Sequence, residues 1–527
     1  MSPTIADKNS CNYRALLFLA TYSAATALLL LSPRSDAYEW ELTPNFRTDL
    51  IFTDNLRLVP DNSPVKKEAE FITRLMPGFY SRFTSRRFDS TIDFRLRNIL
   101  YANNSNRNRS LINLRAQNTG EIIKNLFYVD ANARIRQQNQ FILGPLGDDA
   151  NITGNLRSVR MYSVSPYIHK RFSNFATTKI RYARILTDSD ASNTFFNSNS
   201  NAYQFSLISG TKFRTLEWGL NYSREDIDFD IRPKTVKIET AIANIQYNFT
   251  RRFGLTGTGG YEENTFGGGP VDDKPRGIRW SAGFIWFPTP RTSLEASVGQ
   301  RFFGDTYAYN VTHRMRFMAF RSSYREIVRT SRNQFLLEGD GDTLILLTDL
   351  LTSQAPTGTS PAEIALVAEE LISNLGLPPG QFFDQQFLTN RFFLEKRFTA
   401  SVAFHTSKNT LLFRIYDINR KPLVTSTAFL DSLGGQRISR EQQGINVTWS
   451  WRVSPRTSVN LIGTYRRLKF PTIFRRDEQI MYRISVTRRL TRDIMALLSY
   501  RRRERTSNIS LTEHTENRFM ASLRMKF

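Results

Sequence analysis

Cysteine is almost absent: Cys11 is the single one in 527 residues. It lies ahead of the apolar run Ala15–Leu31, so the chain beyond that run has no disulfide and no thiolate metal ligand. A lipid-anchoring cysteine would follow such a run, and Cys11 precedes it. Past the N-terminal region no apolar stretch approaches about 18 residues. That excludes a helical membrane protein but not a barrel, where only alternate residues need be apolar. Histidine is scarce as well. The four, His169, His313, His405 and His514, form no i, i+4 pair. No Gly-x-Ser-x-Gly, His-Glu-x-x-His or cysteine cluster occurs, so the expectation is no catalytic residue, no metal and no cofactor. Glu338-Gly339-Asp340-Gly341-Asp342 lacks the distal Glu of a calcium loop. The glycines at 257, 259 and 260 and at 267–269 are not followed by the helix and Lys that a phosphate loop requires.

Acidic residues are the minority, 48 Asp and Glu against 72 Lys and Arg, for a formal charge of +24. Such an excess suits either turns and rims that meet anionic lipid or a cationic lumen for an anionic solute. Nucleic acid is the third option, and secretion argues against it. Lys8 and Arg14, the apolar run and then Ser35-Asp36-Ala37 predict a secretory signal peptide over 1–37, cleaved before Tyr38.

What is abundant is aromatic: 40 Phe and 20 Tyr against 6 Trp. From Tyr38 the chain reads as about 22 segments of partial period-2 alternation, from 38–54 and 67–84 to 492–505 and 513–527. Their connections sort by parity. Tight turns rich in Ser, Thr, Pro and Arg, such as 172–174, 250–252, 288–292, 454–457 and 490–492, follow even-numbered segments. Long polar loops, 139–154, 188–199, 227–235, 264–277, 332–388 and 419–439, follow odd ones, with few exceptions. A soluble sandwich has no reason to sort loops this way. A bacterial outer-membrane barrel does, with short periplasmic turns and long outer loops. The fold expected is therefore all-β: one antiparallel transmembrane barrel over 38–527, with both ends of the wall on the periplasmic side. Within 332–388, Ser360-Pro361-Ala362-Glu363 opens a helix expected at about 361–375, in an extracellular loop that could fold into the barrel mouth.

The final strand sets the pattern for the wall. Phe519, Ala521, Leu523, Met525 and Phe527 share one face; Arg518, Ser522, Arg524 and Lys526 share the other, with Met520 the breach. Phe519, Leu523, Met525 and Phe527 are the candidate insertion signal. In 92–97, Ile92, Phe94 and Leu96 alternate with Asp93, Arg95 and Arg97. Candidate lumen or solute-binding residues are Arg95, Arg97, Arg134, Arg136, Arg466 and Arg501, with Tyr307 and Tyr465 to stack on sugar rings.

Two stretches carry a family resemblance. They are Trp40-Glu41-Leu42-Thr43-Pro44 with Thr53-Asp54-Asn55-Leu56, and Gly299-Gln300-Arg301-Phe302-Phe303-Gly304 with Tyr307, His313-Arg314 and Ser323-Tyr324. Together they resemble a family of uncharacterised outer-membrane barrels associated with the PEP-CTERM/exosortase system. Gln300 stands where that family commonly has Arg. The resemblance spans most of the chain after Tyr38, and none of its motifs is catalytic. Because members are encoded near exopolysaccharide biosynthesis genes, it implies a part in polysaccharide export or the extracellular matrix.

The function expected is an outer-membrane pore for export of an anionic exopolysaccharide, with no enzymatic activity. The alternative is a structural or assembly barrel that binds lipopolysaccharide or a periplasmic export partner with its lumen closed. An outer-membrane enzyme would need acidic or nucleophilic residues to converge on one of the four histidines. Expected partners are outer-membrane lipids including lipopolysaccharide, the barrel-assembly machinery and polysaccharide-export proteins, and no nucleic acid.

Overall fold

The computed structural model describes residues 38–141, 143–190, 197–230, 235–265, 275–330, 392–423, 439–509 and 512–527, with isolated residues at 347, 348, 351 and 368. The signal peptide expected over 1–37 lies outside the described residues. So, apart from those isolated positions, does the 332–388 loop with its expected helix at about 361–375.

The described chain forms one 22-stranded sheet in which each strand pairs antiparallel with its neighbours in sequence. β1 (Glu39–Thr53) and β22 (His514–Lys526) pair from Asn45↔Lys526 to Thr53↔Arg518, which closes the sheet and leaves no edge. The strands that position the site are β2 (Glu70–Thr84), β3 (Phe88–Tyr101), β4 (Arg109–Ile123), β5 (Phe127–Asn139) and β6 (Leu156–Phe172) on one side of that seam. On the other side lie β18 (Arg440–Ser454), β19 (Thr457–Phe470), β20 (Arg475–Arg489) and β21 (Ile494–Ser507). The fourth strand, expected over 106–118, begins later and runs on to Ile123. Asn118-Thr119-Gly120 has turn composition, yet it stays in register opposite Phe88–Ser90.

The tight turns are closed by their hydroxyls. Ser85, Thr250, Thr406 and Thr491 each accept a backbone N–H two or three residues on, through their side-chain oxygen. Longer connections such as 54–69 and 140–155 all leave the other end of the barrel. An exception to the sorting is Phe302-Phe303, which joins β13 (Thr292–Arg301) to β14 (Gly304–Arg314) at the long-loop end; Gly304 there has φ +112°.

Alternation gives the wall two unlike surfaces. Outside, large apolar side chains stand free of protein cover: Ile278 is 74% exposed, Leu498 64% and Phe519 54%. Aromatics form two girdles. Trp40, Phe172, Phe249, Trp286, Trp449 and Trp451 stand near the tight turns, and Phe71, Tyr203, Tyr261, Tyr307 and Tyr482 nearer the long loops. In water this surface would be a large adhesive patch; against lipid it is solvated by acyl chains. Inside, the buried groups are mostly ionic or polar, including Asp49, Glu262, Glu395, Glu516, Arg501 and Arg518. No helix among the described residues is long and apolar enough to cross a membrane.

Candidate functional site: an arginine ladder holding a loop inside the barrel

The sequence Arg501-Arg502-Arg503-Glu504-Arg505 in β21 sorts by period 2. Arg501, Arg503 and Arg505 point inward and are buried, while Arg502 and Glu504 face out and are exposed or half-buried. The ladder extends sideways because paired residues share a face: Arg501 pairs with Arg483 of β20 and Arg518 of β22. Across the seam, Arg74 of β2, Arg97 of β3 and Arg109 of β4 complete a cationic sector. So many guanidiniums repel one another unless anions or other acceptors lie between them.

The acceptors come from the β5–β6 loop, residues 140–155, which docks against this sector. Asp148 receives Arg501 Nη1 at 2.9 Å and Arg518 Nη1 at 2.7 Å. Asp149 receives Arg74 Nη1 at 2.8 Å and Arg97 Nη1. The backbone contributes too. Arg475, Arg505 and Arg503 donate to the carbonyls of Leu143, Gly144 and Leu146 at 3.2, 3.2 and 3.1 Å. Arg109 donates to those of Asp149 and Asn151 at 2.8 and 2.9 Å. The loop shapes itself for this. Asp148 Oδ1 accepts the Ala150 N–H and Asn151 Oδ1 accepts the Asp148 N–H, a tight reciprocal turn. A side chain at Gly147 would meet Asn151 Cβ at 2.8 Å, so the turn needs glycine there. Asn155 ties the base, accepting the Phe141 N–H and donating to the carbonyls of Phe141 and Pro145.

Two further contacts fix the loop. Ala150 is fully buried with Ile51, Leu56, Ile72, Ile99 and Tyr101, and Leu111, Ile152 and Met520 pack against that cluster. Met520, the breach in the final strand's alternation, thus has an apolar partner inside the barrel. Asn151 donates to the Leu56 carbonyl and to Glu516, and Tyr101 Oη donates to the Ala150 carbonyl. Burial pushes the Asp148 carboxyl up, but Arg518, Arg501 and Arg503 outweigh it and hold the group well below the usual carboxylate range. For Asp149, burial is likewise outweighed, by Arg74 and Arg97.

Thr53-Asp54-Asn55-Leu56 lies at the top of the seam. Asp54 receives the backbone N–H and the side-chain amide of Asn517, both at 2.7 Å. Asn55 donates to the carbonyls of Val59 and Thr515. On another sector of the wall, formed by β15 (Met318–Thr330), β16 (Phe392–His405) and β17 (Asn409–Pro422), fully buried Glu395 is held by Arg329, Arg397 and Arg420.

The residues singled out from sequence are placed as follows. Arg97 and Arg501 hold the loop. Arg95 faces inward beside Asp93 at 3.6 Å. Arg134 lies opposite Arg115 and buried Met161, and Arg136 opposite buried Val159, both on the inner side of β5. Arg466 is buried inside and donates to Gln479. Tyr307 and Tyr465 must be corrected: both are on the outer face. Tyr307 is 52% exposed opposite equally exposed Val298, as a girdle residue, and Tyr465 sits back to back with inward Arg466, under the Arg467 guanidinium. Phe519 and Phe527 are exposed, and Leu523 and Met525 share the outer side of β22 with Phe519. Sequence reasoning missed Asp148 and Asp149. Their signal was an acidic pair after glycine in a long loop of a chain otherwise rich in arginine.

A family model described as "Putative beta-barrel porin 2" matches residues 440–527, the five strands that carry most of the ladder. The FrpB iron transporter of Neisseria meningitidis has a similar structure, at 10% identity and a TM-score of 0.51 over 92% of this chain and 81% of that one. The chain is an outer-membrane β-barrel, porin-like over its last five strands. Other similar structures are the siderophore receptor PirA of Pseudomonas aeruginosa (9% identity, TM-score 0.44, 92% of this chain and 80% of that one) and OccK8 (OprE) of the same organism (10%, 0.30, 93% and 98%). At such identities the likeness concerns the fold alone. No protein with curated annotation matches in sequence. Among the described residues of this barrel, no group of three or more His, Cys, Asp or Glu side chains is arranged to hold a metal ion.

Proposed function

We propose that this barrel is an outer-membrane pore for export of an acidic exopolysaccharide. The observation that carries the reading is the inward arginine ladder of Arg74, Arg97, Arg109, Arg501, Arg503, Arg505 and Arg518. It is a repeated set of cationic contacts along one sector of the lumen. A polymer of carboxylated sugars would exchange from one guanidinium to the next, attracted at each and held by none for long. No bond is made or broken, so such transport needs no catalytic group. The resemblance at Trp40–Leu56 and around Gly299–Tyr324 supports the link to exopolysaccharide. Single-channel recordings with an acidic and a neutral polysaccharide test it: current block by the acidic polymer alone is the expected result, and no block at any concentration refutes it.

One observation favours a second reading. The docked 140–155 loop fills lumen space beside the ladder, as a closed structural or assembly barrel would need. Such a barrel would bind lipopolysaccharide or a periplasmic export partner without conducting. In that case the protein gives no ion current under any condition. In either reading the outward face of β22, with Phe519, Leu523, Met525 and Phe527, is the surface offered to the barrel-assembly machinery and to lipid.

A further inference from the structure

We propose that Arg74, Arg97, Arg501, Arg503 and Arg518 form a binding cradle for a polymer of carboxylated sugars, and that Asp148 and Asp149 occupy it as an internal stand-in. An incoming polymer would displace the 140–155 loop and open the lumen beside it. This rests on the pore reading above and adds to it the subsite and its resident competitor.

Three features support the proposal. The first is that the cradle has two separate carboxylate subsites on opposite sides of β1. Arg501 and Arg518 grip Asp148 from β21 and β22, and Arg74 and Arg97 grip Asp149 from β2 and β3. A ligand that carries carboxylates at intervals along one chain fits such a pair of subsites; a single small anion fills only one. The second is that the cradle remains under-neutralised with the loop in place. Arg503 is buried, yet it donates to the neutral Leu146 carbonyl, and its Nε has no partner. Arg109, beside the cradle on β4, likewise donates to two carbonyls of the loop. A carboxylate would replace these neutral acceptors by charged ones, and charge-assisted hydrogen bonds are about twice as strong.

The third is that three of the five guanidiniums do not depend on the loop for their place. Asp49 also holds Arg74, and Glu516 also holds Arg501 and Arg518. When the loop leaves, Arg74, Arg501 and Arg518 therefore stay aimed at the vacated subsites, one or more in each, so a polymer meets a largely preorganised site and gives Arg97 and Arg503 new acceptors. Competition is between an intramolecular pair of carboxylates and a polymer presenting many, and multivalency favours the latter once it enters.

The test uses the full chain with Cys11→Ser and Ala150→Cys, folded in lipid vesicles. Ala150 has no exposed surface while the loop is docked, so maleimide labelling reads loop release. Labelling is followed alone, with oligogalacturonate, and with a neutral maltooligosaccharide of the same length. The expected result is labelling at least about tenfold faster with oligogalacturonate and unchanged with the neutral sugar. Adding Asp148→Asn and Asp149→Asn, together or Asp149→Asn alone, should give fast labelling with no sugar present, in protein whose heat-modifiable gel mobility confirms a folded barrel. Equal labelling with both sugars, or a folded double variant as protected as its parent, overturns the proposal. Ion current recorded on the same protein separates the two readings. Labelling accelerated by oligogalacturonate alone, without current, supports the cradle and refutes the pore. Current blocked by acidic polymer, with the cysteine unaffected, supports the pore and refutes the cradle.

Discussion

Glu516 is where the seam, the ladder and the docked loop meet, and Glu516→Gln tests whether they form one unit. The carboxylate is fully buried. It accepts from Thr53 Oγ1 at 3.0 Å, Asn151 Nδ2 at 3.0 Å and Arg501 Nη2 at 2.9 Å, and also from Arg518 Nη2. Gln keeps the shape but turns one acceptor oxygen into a donor that faces other donors. Removing one partner of a buried ion pair costs about 3–5 kcal/mol. Here Asp148 still accepts from both Arg501 and Arg518, so roughly half of that loss should remain, about 2 kcal/mol. The matched control is Glu504→Gln on the outer face of β21. Glu504 stands 3.6 Å from Arg502, with both side chains more than two-fifths exposed, and such a pair contributes between zero and about 1 kcal/mol.

The assay is urea unfolding of the refolded barrel in lipid, followed by tryptophan fluorescence. With a slope of about 2–3 kcal/mol per molar, Glu516→Gln should lower the midpoint by nearly 1 M. The control should move it by a small fraction of that. If the two variants unfold together, Glu516 is not a keystone, and the coupling of seam to loop is refuted. A lowered slope in Glu516→Gln instead of a lowered midpoint would also count against it, since that reports a change in exposed surface.

Three further outcomes follow from the same geometry. Asp148 and Asp149 titrate below their ordinary value of 3.8, so their contribution to docking is complete above that value and is lost only as pH falls through the lower folded value. Ion current and its block should therefore be unchanged from pH 7 to about 5, and a loop released at pH 5 to 6 contradicts the assignment. Leu498→Arg puts a charge on the lipid face, where Leu498 is 64% exposed; it should destabilise by about 2–4 kcal/mol in lipid, and unchanged stability there would argue against a membrane-facing wall. Tyr307→Ala and Tyr465→Ala should leave polysaccharide block intact because both rings stand outside the barrel, whereas Arg97→Ala should weaken it; the reverse ranking would overturn the inside-outside assignment.

How much of this was legible in the sequence differs sharply between wall and interior. Strand number and the inward side of Arg95, Arg97, Arg134, Arg136, Arg466 and Arg501 were within reach of period-2 alternation, a local signal, and of loop-length parity, which is read along the chain without knowing what touches what. The same rule, applied consistently, also corrects Tyr465: Arg466 and Tyr465 are adjacent, so they cannot both face the lumen. Tyr307 failed for a different reason. Aromatics serve both as girdle residues against lipid and as stacking surfaces, and composition alone does not separate the two uses.

The loop was illegible because its partners are remote. Asp148 and Asp149 meet Arg74 and Arg97 on one side of β1 and Arg501 and Arg518 on the other, separations of up to 370 positions. No window of sequence contains both halves of those ion pairs. Yet one local irregularity pointed inward. Met520 interrupts the polar face of the last strand between Arg518 and Ser522, and an apolar side chain in a wet lumen is costly unless something covers it. What packs there is the cluster that holds Ala150, with Ile152 beside it. A breach in alternation on a barrel's inner face is thus a signal for a segment folded inside, and it lay in the strand where the pattern was otherwise most regular.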